Sequence, residues 1–335
     1  MFYTNYPGSL LLCLLITGCN LTLFTLPNYT IGDTWYVVDR GLIHCFFCTS
    51  SEEKPDWNWD IGHAISRDLV TWDFVGIAVK RGEDKEWDSQ TLSTGSVMYR
   101  NGRYWMAYSG IRKGENPPSR KIHRVGIAVS NNLYEWEKLT NNPVNERDPS
   151  LYERLGRVNK AYSQWRDPFL YEHGESVYQL VCARNKHTDY SKRGAIGVAT
   201  SSDMKNWRIL PPIDVEPIAT ELEVPQVYTI QNRHFLVFCT SPDRLQPSFT
   251  NNFPDHQFRK TDYSMVGESP LGPFAIHGTG EIISPNNIQQ PYASRIVKWQ
   301  KALFLIGTVR RGSITSISDP IPVVSDKFGI HELTK

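Results

Sequence analysis

The residues best suited to chemistry are Trp165-Arg166-Asp167-Pro168, where a permanent cation and a carboxylate stand side by side ahead of a proline. Proline has no N–H for a sheet ladder and is tolerated mainly at a strand's first residue or on an edge. Asp167 therefore belongs at the lip of a sheet, with its carboxylate free to meet a ligand. Two more acids stand just ahead of strand-turn-strand runs: Asp33 in Gly32-Asp33-Thr34-Trp35 and Glu223 in Leu222-Glu223-Val224-Pro225. Grouped carboxylates suit glycosyl transfer. One carboxyl holds a proton for the leaving oxygen, while another stays ionised to attack or to activate water. Mutual repulsion and burial raise one pKa, and a cation such as Arg166 lowers another.

A repeat is what brings these acids together. Ile61-Gly62-His63-Ala64-Ile65-Ser66 leads to Leu69 and Trp72; Val125-Gly126-Ile127-Ala128-Val129-Ser130 leads to Leu133 and Trp136; Ile196-Gly197-Val198-Ala199-Thr200-Ser201 leads to Met204 and Trp207. A weaker copy starts at Val266-Gly267. Each reads as a strand of alternating small and apolar residues, a polar turn, and an edge strand opened by an aromatic. Hairpins alternate with these units, with turns at Asp39-Arg40-Gly41, Asn101-Gly102, His173-Gly174, Gln231-Asn232 and between Lys298 and Lys301. Asn-Gly is the strongest short hairpin signal.

A period of four strands in some 65–70 residues reads as a propeller. The expected fold is all-β: one five-bladed β-propeller of four-stranded antiparallel blades over residues 20–335, with no C-terminal β-sandwich. A row of separate small domains is the runner-up. Each blade's innermost strand starts at the mouth of the central channel. The residue just ahead of each hairpin should then carry Asp33, Asp167 and Glu223, from three blades in one register, to one end of that channel. The same position in blade five is Gln290.

Composition narrows the function further. With 36 basic and 35 acidic residues the net charge is +1, and no long like-charge run points to nucleic acid or an anionic membrane. The expected partner is an oligo- or polysaccharide. Six cysteines at this length are not a disulfide framework, and Cys45, Cys48, Cys182 and Cys239 lie in apolar strand-like runs. Cys45-Phe46-Phe47-Cys48 is not read as a zinc site, because strand positions three apart face opposite sides. No spacing calls for a metal or another cofactor. Ser9 to Gly18 is an apolar run too short to span a bilayer and suits a signal peptide over residues 1–19. Ile16-Thr17-Gly18-Cys19 is similar to a bacterial lipobox. A secreted or extracytoplasmic location is expected, with a lipid on Cys19 as its membrane anchor; a buried N-terminal strand in a cytoplasmic protein is the alternative.

Gly62-His63-Ala64-Ile65-Ser66-Arg67-Asp68-Leu69-Val70-Thr71-Trp72 resembles the Gly-His-Ala-x-Ser-x-Asp-Leu-x-x-Trp stretch of glycoside hydrolase family 32. Trp165-Arg166-Asp167-Pro168 resembles the Arg-Asp-Pro motif of families 32 and 68, Leu222-Glu223-Val224-Pro225 their acid/base motif, and Thr94-Gly95-Ser96 their Ser-Gly-Ser. The resemblance implies a five-bladed propeller glycosidase. Asp33 would be its nucleophile, Asp167 with Arg166 its transition-state stabiliser, and Glu223 its general acid/base. Gly32-Asp33-Thr34-Trp35 departs from the family's Asn-Asp-Pro-Asn-Gly. Further substrate-binding positions expected on the same rim are Trp35, Trp59, His63, Trp87, Asp88, Ser96, Trp165 and Gln290. Trp72, Trp136 and Trp207 are assigned to blade packing because they repeat.

The leading expectation is a retaining hydrolase of β-fructofuranosides, or a transferase using the same intermediate. An inverting, family-43-like glycosidase on arabinose- or xylose-containing glycans, and a non-catalytic carbohydrate-binding propeller, are the alternatives.

Overall fold

The repeated Gly-x-Ala-x-Ser segment ends three strands in the same turn. Ser66, Ser130 and Ser201 each accept, at Oγ, the backbone N–H groups of the residues two and three further on, at 2.8–3.2 Å. The carboxylate or amide oxygen of Asp68, Asn132 or Asp203 then takes the next two N–H groups. This leaves Leu69, Leu133 and Met204 at φ 68, 69 and 66°, a left-handed conformation that side-chain capping makes accessible. Trp136 and Trp207 donate from Nε1 to the carbonyls of Leu133 and Met204, which fastens the following strand to the turn.

The computed structural model describes residues 23–51, 58–114, 122–153, 164–187 and 189–334. The proposed leader, residues 1–19, lies outside them. Among the described residues there are five antiparallel sheets. Blade one comprises Tyr29–Asp39, Leu42–Ser51, Asp60–Ser66 and Asp73–Val79; blade two comprises Thr91–Arg100, Arg103–Ile111, Arg124–Ser130 and the two-residue Glu137–Lys138. Blade three is Trp165–His173, Ser176–Arg184, Gly194–Ser201 and Arg208–Ile213; blade four is Glu223–Ile230, Arg233–Thr240, Thr261–Gly267 and Phe274–Glu281. Blade five is Tyr292–Trp299, Ala302–Arg311, Ile321–Ser325 and Ile330–Glu332, with Ile314–Ile317 added along its second strand. The expected all-β, five-bladed propeller is the observed fold.

The second strand of each blade shows why the ring packs. Its successive side chains point to opposite faces, so each sheet feeds two interblade cores. Phe46 joins the core shared with blade two and Phe47 the core shared with blade five. Leu180 and Val181 likewise divide between blades four and two. Near the start of the described chain, Ile317 donates its N–H to Phe24 O at 3.1 Å, and Thr308 Oγ1 donates to Gly32 O at 2.7 Å, closing blade five on blade one.

The innermost strands depart from the expected register. Each carries a β-bulge near its start, with one more residue than its partner strand. Ladder pairing stops at Ile31, Ser93, Arg166, Glu223 and Tyr292, and resumes at Thr34, Gly95, Phe169, Gln226 and Arg295. Glu223 therefore shares its station with Arg166 and Tyr292. Asp167 matches Val224 and Ala293, all three at φ 54–60°, while Asp33 is the second bulge residue of blade one. The three acids do not occupy one register, because the bulge re-aims successive side chains toward the mouth.

Candidate active site

Asp33, Arg166, Asp167 and Glu223 line one pocket of about 560 Å³ at the mouth of the channel, within the usual size range of a small-molecule site. Thr94, at the bulge of blade two, donates from Oγ1 to Asp33 Oδ2 at 2.5 Å. Asp167 is 3% exposed. Its backbone N–H donates to Ser109 Oγ at 2.8 Å, and its Oδ2 accepts the Val224 N–H at 3.1 Å. The left-handed bulges of blades three and four thus interlock beneath the acids.

Cations organise the remainder. Arg166 Nη2 donates to Glu223 Oε1 at 2.5 Å and to Glu221 Oε2 at 3.1 Å, while its Nε lies 3.4 Å from Asp167 Oδ2. Arg244 Nη1 lies 2.6 Å from Glu221 Oε2 and 2.7 Å from Glu223 Oε1. The Tyr292 hydroxyl donates to Glu223 Oε2. Buried Glu221 also accepts from Gln164 Nε2 at 2.7 Å and from Arg184 Nη2.

These surroundings separate the carboxyls electrically. Burial pushes Asp167 up to about 7, against Arg166 and with Asp33 and Glu223 adding repulsion. Asp33 is raised as well, by burial and by Glu223, although Thr94, Arg295 and Lys260 favour its ionised form. Glu223 goes the other way. Burial raises it, but Arg166, Arg244 and the Tyr292 hydroxyl outweigh burial and bring it down to about 2. The pocket therefore holds one firmly ionised carboxylate, Glu223, beside two, Asp33 and Asp167, that burial pushes up. Surroundings that drive neighbouring carboxyl groups apart in this way are characteristic of acid–base sites.

Other expected rim residues lie elsewhere, with the exception of Trp59, which does line the pocket. Trp35, 1% exposed, stacks on Phe46 in the core between blades one and two. His63 is stacked between Phe46 and His44, with His44 Nδ1 2.9 Å from its Nε2. Trp87 covers Gly110 and Gly126, and buried Asp88 pairs with Lys138 at 2.6 Å and accepts from Tyr108 at 3.2 Å. Ser96 Oγ accepts the Leu170 N–H and borders the opposite end of the channel. Trp165 is fully buried against Tyr152 and Gly197, its indole N–H donating to Asn145. Gln290 is held by Arg259 and by the carbonyls of its own loop, and does not reach the pocket. For Trp35, Ser96, Trp165 and Gln290 the physical reason is common: a large or polar side chain close in sequence to a bulge need not point to the mouth. His63 lies on a third strand, and Trp87 and Asp88 in the loop ahead of blade two, away from the innermost strands.

Glu221, Arg244, Lys260 and Tyr292 line the pocket without having been singled out. Two rules could have found the first three. Alternation along the chain puts Glu221 on the side of Glu223. The loop from a blade's second to its third strand returns to the mouth, and residues 241–260 form that loop in blade four. Among the described residues, no group of three or more His, Cys, Asp or Glu side chains is arranged to hold a metal ion.

Comparison with known proteins places this geometry in a family. A 6(G)-fructosyltransferase of Asparagus officinalis is 30% identical over 201 residues, covering 56% of this chain and 30% of that protein. A sucrose-6-phosphate hydrolase of Zymomonas mobilis is 23% identical over 226 residues, 64% of this chain and 40% of that protein. The matches thus span less than half of these relatives' own length. The inulosucrase of Halalkalicoccus jeotgali, solved with kestose bound, superposes with a TM-score of 0.73 at 18% identity, over 92% of this chain and 89% of that one. Residues 35–303 match the glycosyl hydrolases family 32 N-terminal domain, and with most of its length inside that match the chain belongs to glycosyl hydrolase family 32.

Proposed function

We propose that the protein is a retaining glycosidase of β-fructofuranosides. The observation that carries this reading is the convergence of Asp33, Asp167 and Glu223 with Arg166 in one pocket of a family 32 chain. In the proposed cycle an Asp33 oxygen attacks the fructosyl anomeric carbon as the bond to the leaving oxygen breaks, and Glu223 gives that oxygen its proton. Glu223 then takes a proton from water, which attacks the same carbon, breaks the fructosyl–Asp33 bond and frees fructose. Asp167, held by Arg166 and the Val224 N–H, faces the positive charge that develops on the sugar.

The resting electrostatics add one requirement. Glu223 is ionised while Arg166 and Arg244 both touch it, so it becomes an acid only after substrate draws a cation away. Arg244, about one-third exposed, is the partner that can move, whereas Arg166 is pinned between three carboxylates.

The test is incubation of the protein and of Glu223→Gln with sucrose, inulin and levan, followed by proton NMR from the first turnovers. The reading requires fructose release that falls by roughly 10³-fold in the variant, the scale of a lost general acid. It also requires β-fructofuranose as the first anomer. Absence of fructose from every substrate, with the protein folded, would refute it. Export is part of the proposal and rests on the apolar run from Ser9 to Gly18 and on Cys19. Mass spectrometry of the N-terminus after expression in a bacterial host would detect cleavage, or a diacylglyceryl group on Cys19; an uncleaved Met1 would refute export.

A further inference from the structure

Arg295 lies on the innermost strand of blade five and is 3% exposed. Its Nε donates to Thr34 O at 3.2 Å and its Nη2 to Gly95 O at 2.9 Å. Thr34 directly follows Asp33, and Gly95 directly follows Thr94. The two carbonyls thus belong to the strands whose bulges present the Asp33–Thr94 pair, and one guanidinium ties them across three blades. The approach at Gly95 is close on both sides: a β-carbon there would stand 2.3 Å from Ala107 O and 3.3 Å from the Trp35 ring. Arg295 Nη1 is buried without a hydrogen-bond partner, and among the described residues no carboxylate pairs with this side chain. Its positive charge is left to act on the acids above it.

We infer that Arg295 is a positioning residue for the reaction: its planar fork sets the spacing of the Asp33 and Thr94 strands, and its unpaired charge keeps the Asp33 carboxylate ready to attack. The catalytic part of this inference rests on the proposed glycosidase reading; the electrostatic part does not. Asp33 is faced by Cys48 from blade one, Thr94 from blade two, Asp167 from blade three, Glu223, Cys239, Lys260 and Asp262 from blade four, and Arg295 from blade five. Of the other acids in that ring, Glu223 has Arg166 and Arg244, Asp167 has Arg166, and Asp262 accepts from the Ser294 N–H and hydroxyl. Arg295 is the buried cation on the Asp33 side. Lysine would keep the charge but offers no planar fork for two carbonyls on different strands.

The experiment is a ¹³C-carboxyl NMR titration of the full chain, of Arg295→Met and of Arg295→Lys, with Asp33→Asn to assign the resonance. Removing the cation disfavours the ionised acid, so the Asp33 midpoint should rise by about one pH unit in Arg295→Met, the size of one modest charge interaction. It should move by less than half of that in Arg295→Lys. Kinetically, both variants should lose about 10-fold or more in kcat on sucrose, the scale of a small misplacement of reacting groups. The acidic limb of kcat/KM should move upward only in Arg295→Met. An Asp33 midpoint within 0.2 unit of the parent in a folded Arg295→Met would overturn the inference. If Arg295→Met does not fold, Arg295→Lys decides: a tenfold loss of kcat in a folded protein supports the inference, and a parental kcat overturns it. A parent inactive on every fructoside would refute the glycosidase reading, while the titration would still decide the electrostatic role of Arg295.

Discussion

Arg166 and Glu223 occupy the same station on neighbouring blades, the last ladder pair before the bulge, and their side chains meet at 2.5 Å. Each lies opposite a buried cysteine, Cys182 and Cys239. A propeller turns such equivalence into contact, because corresponding residues of adjacent innermost strands converge on one axis. Here the fold has placed opposite charges at two adjacent stations, and Tyr292 holds the third and donates to the same glutamate.

Arg244 is the second cation on Glu223, so its loss should release the acid. With Arg244→Gln the Glu223 pKa, about 2 in the parent, should rise. A proton-donating Glu223 supports activity only below its pKa, so the alkaline limb of kcat/KM should shift to higher pH. Initial rates from about pH 2 to 9 for parent and variant, a window that reaches down to the parent's Glu223 value, measure this. An alkaline limb that stays in place would show that Arg244 does not control the proton on Glu223.

Glu221 binds a different balance of charge. It is 5% exposed and takes hydrogen bonds from Arg166, Arg184 and Arg244. Glu221→Gln strands positive charge in the wall of the pocket, and removing one partner of a buried ion pair costs about 3 kcal/mol or more. Urea denaturation should show that loss, and the variant's activity should fall because Arg166 loses one of its restraints. A stability within about 0.5 kcal/mol of the parent, the usual scatter for a surface change, would contradict it.

Asp262 gives a pH dependence of stability with a definite sign. It is 1% exposed, accepts the Ser294 N–H and hydroxyl, and is pushed up to about 7 by burial. An unfolded aspartate titrates near ~3.9. Between those values the folded state holds the extra proton, so this group's stabilisation is complete below about pH 4 and is lost as the pH rises through 7. Asp262→Asn keeps an uncharged side chain at every pH. Its stability should fall less than the parent's between pH 5 and 8, by on the order of 2 kcal/mol. Chemical denaturation at both pH values checks this, and parallel declines in the two proteins would dismiss it.

The repeated glycines are a packing requirement. A β-carbon at Gly197 would stand 2.6 Å from the Trp165 ring and 2.7 Å from Val181, and one at Gly126 would stand 2.4 Å from Trp87. Gly197→Ala should cost about 2 kcal/mol by overpacking. It should also lower activity, because Trp165 adjoins Arg166 in the chain. Thermal denaturation and sucrose turnover of Gly197→Ala measure both effects; a variant as stable and as active as the parent would argue against that coupling.

Several features of the molecule were legible in the chain alone. The spacing of Gly62, Gly126 and Gly197, with the serine turns and tryptophans that follow, specifies blades because those residues act locally: a serine caps its own turn, and a glycine admits one aromatic ring. The hairpin turns were legible for the same reason. Arg40-Gly41, Asn101-Gly102 and Gln231-Asn232 take positive φ at both positions, as two-residue hairpin turns demand. The acids Asp33, Asp167 and Glu223, and Arg166 beside them, could be read because each stands just ahead of such a hairpin.

What the tertiary structure alone decided is where side chains near those hairpins point and which charges they meet. A bulge adds one residue to a strand, and one residue reverses every side chain that follows. Glu223 therefore falls in line with Arg166, and Trp35 and Ser96 turn away from the pocket although they neighbour residues that line it. Trp87 and Trp165 are spent on covering glycines in the sheets. The Arg166–Glu221–Arg244 network and the reach of Arg295 to Thr34 and Gly95 join residues as much as 261 positions apart. Such contacts have no local signature, because they exist only once the ring has closed.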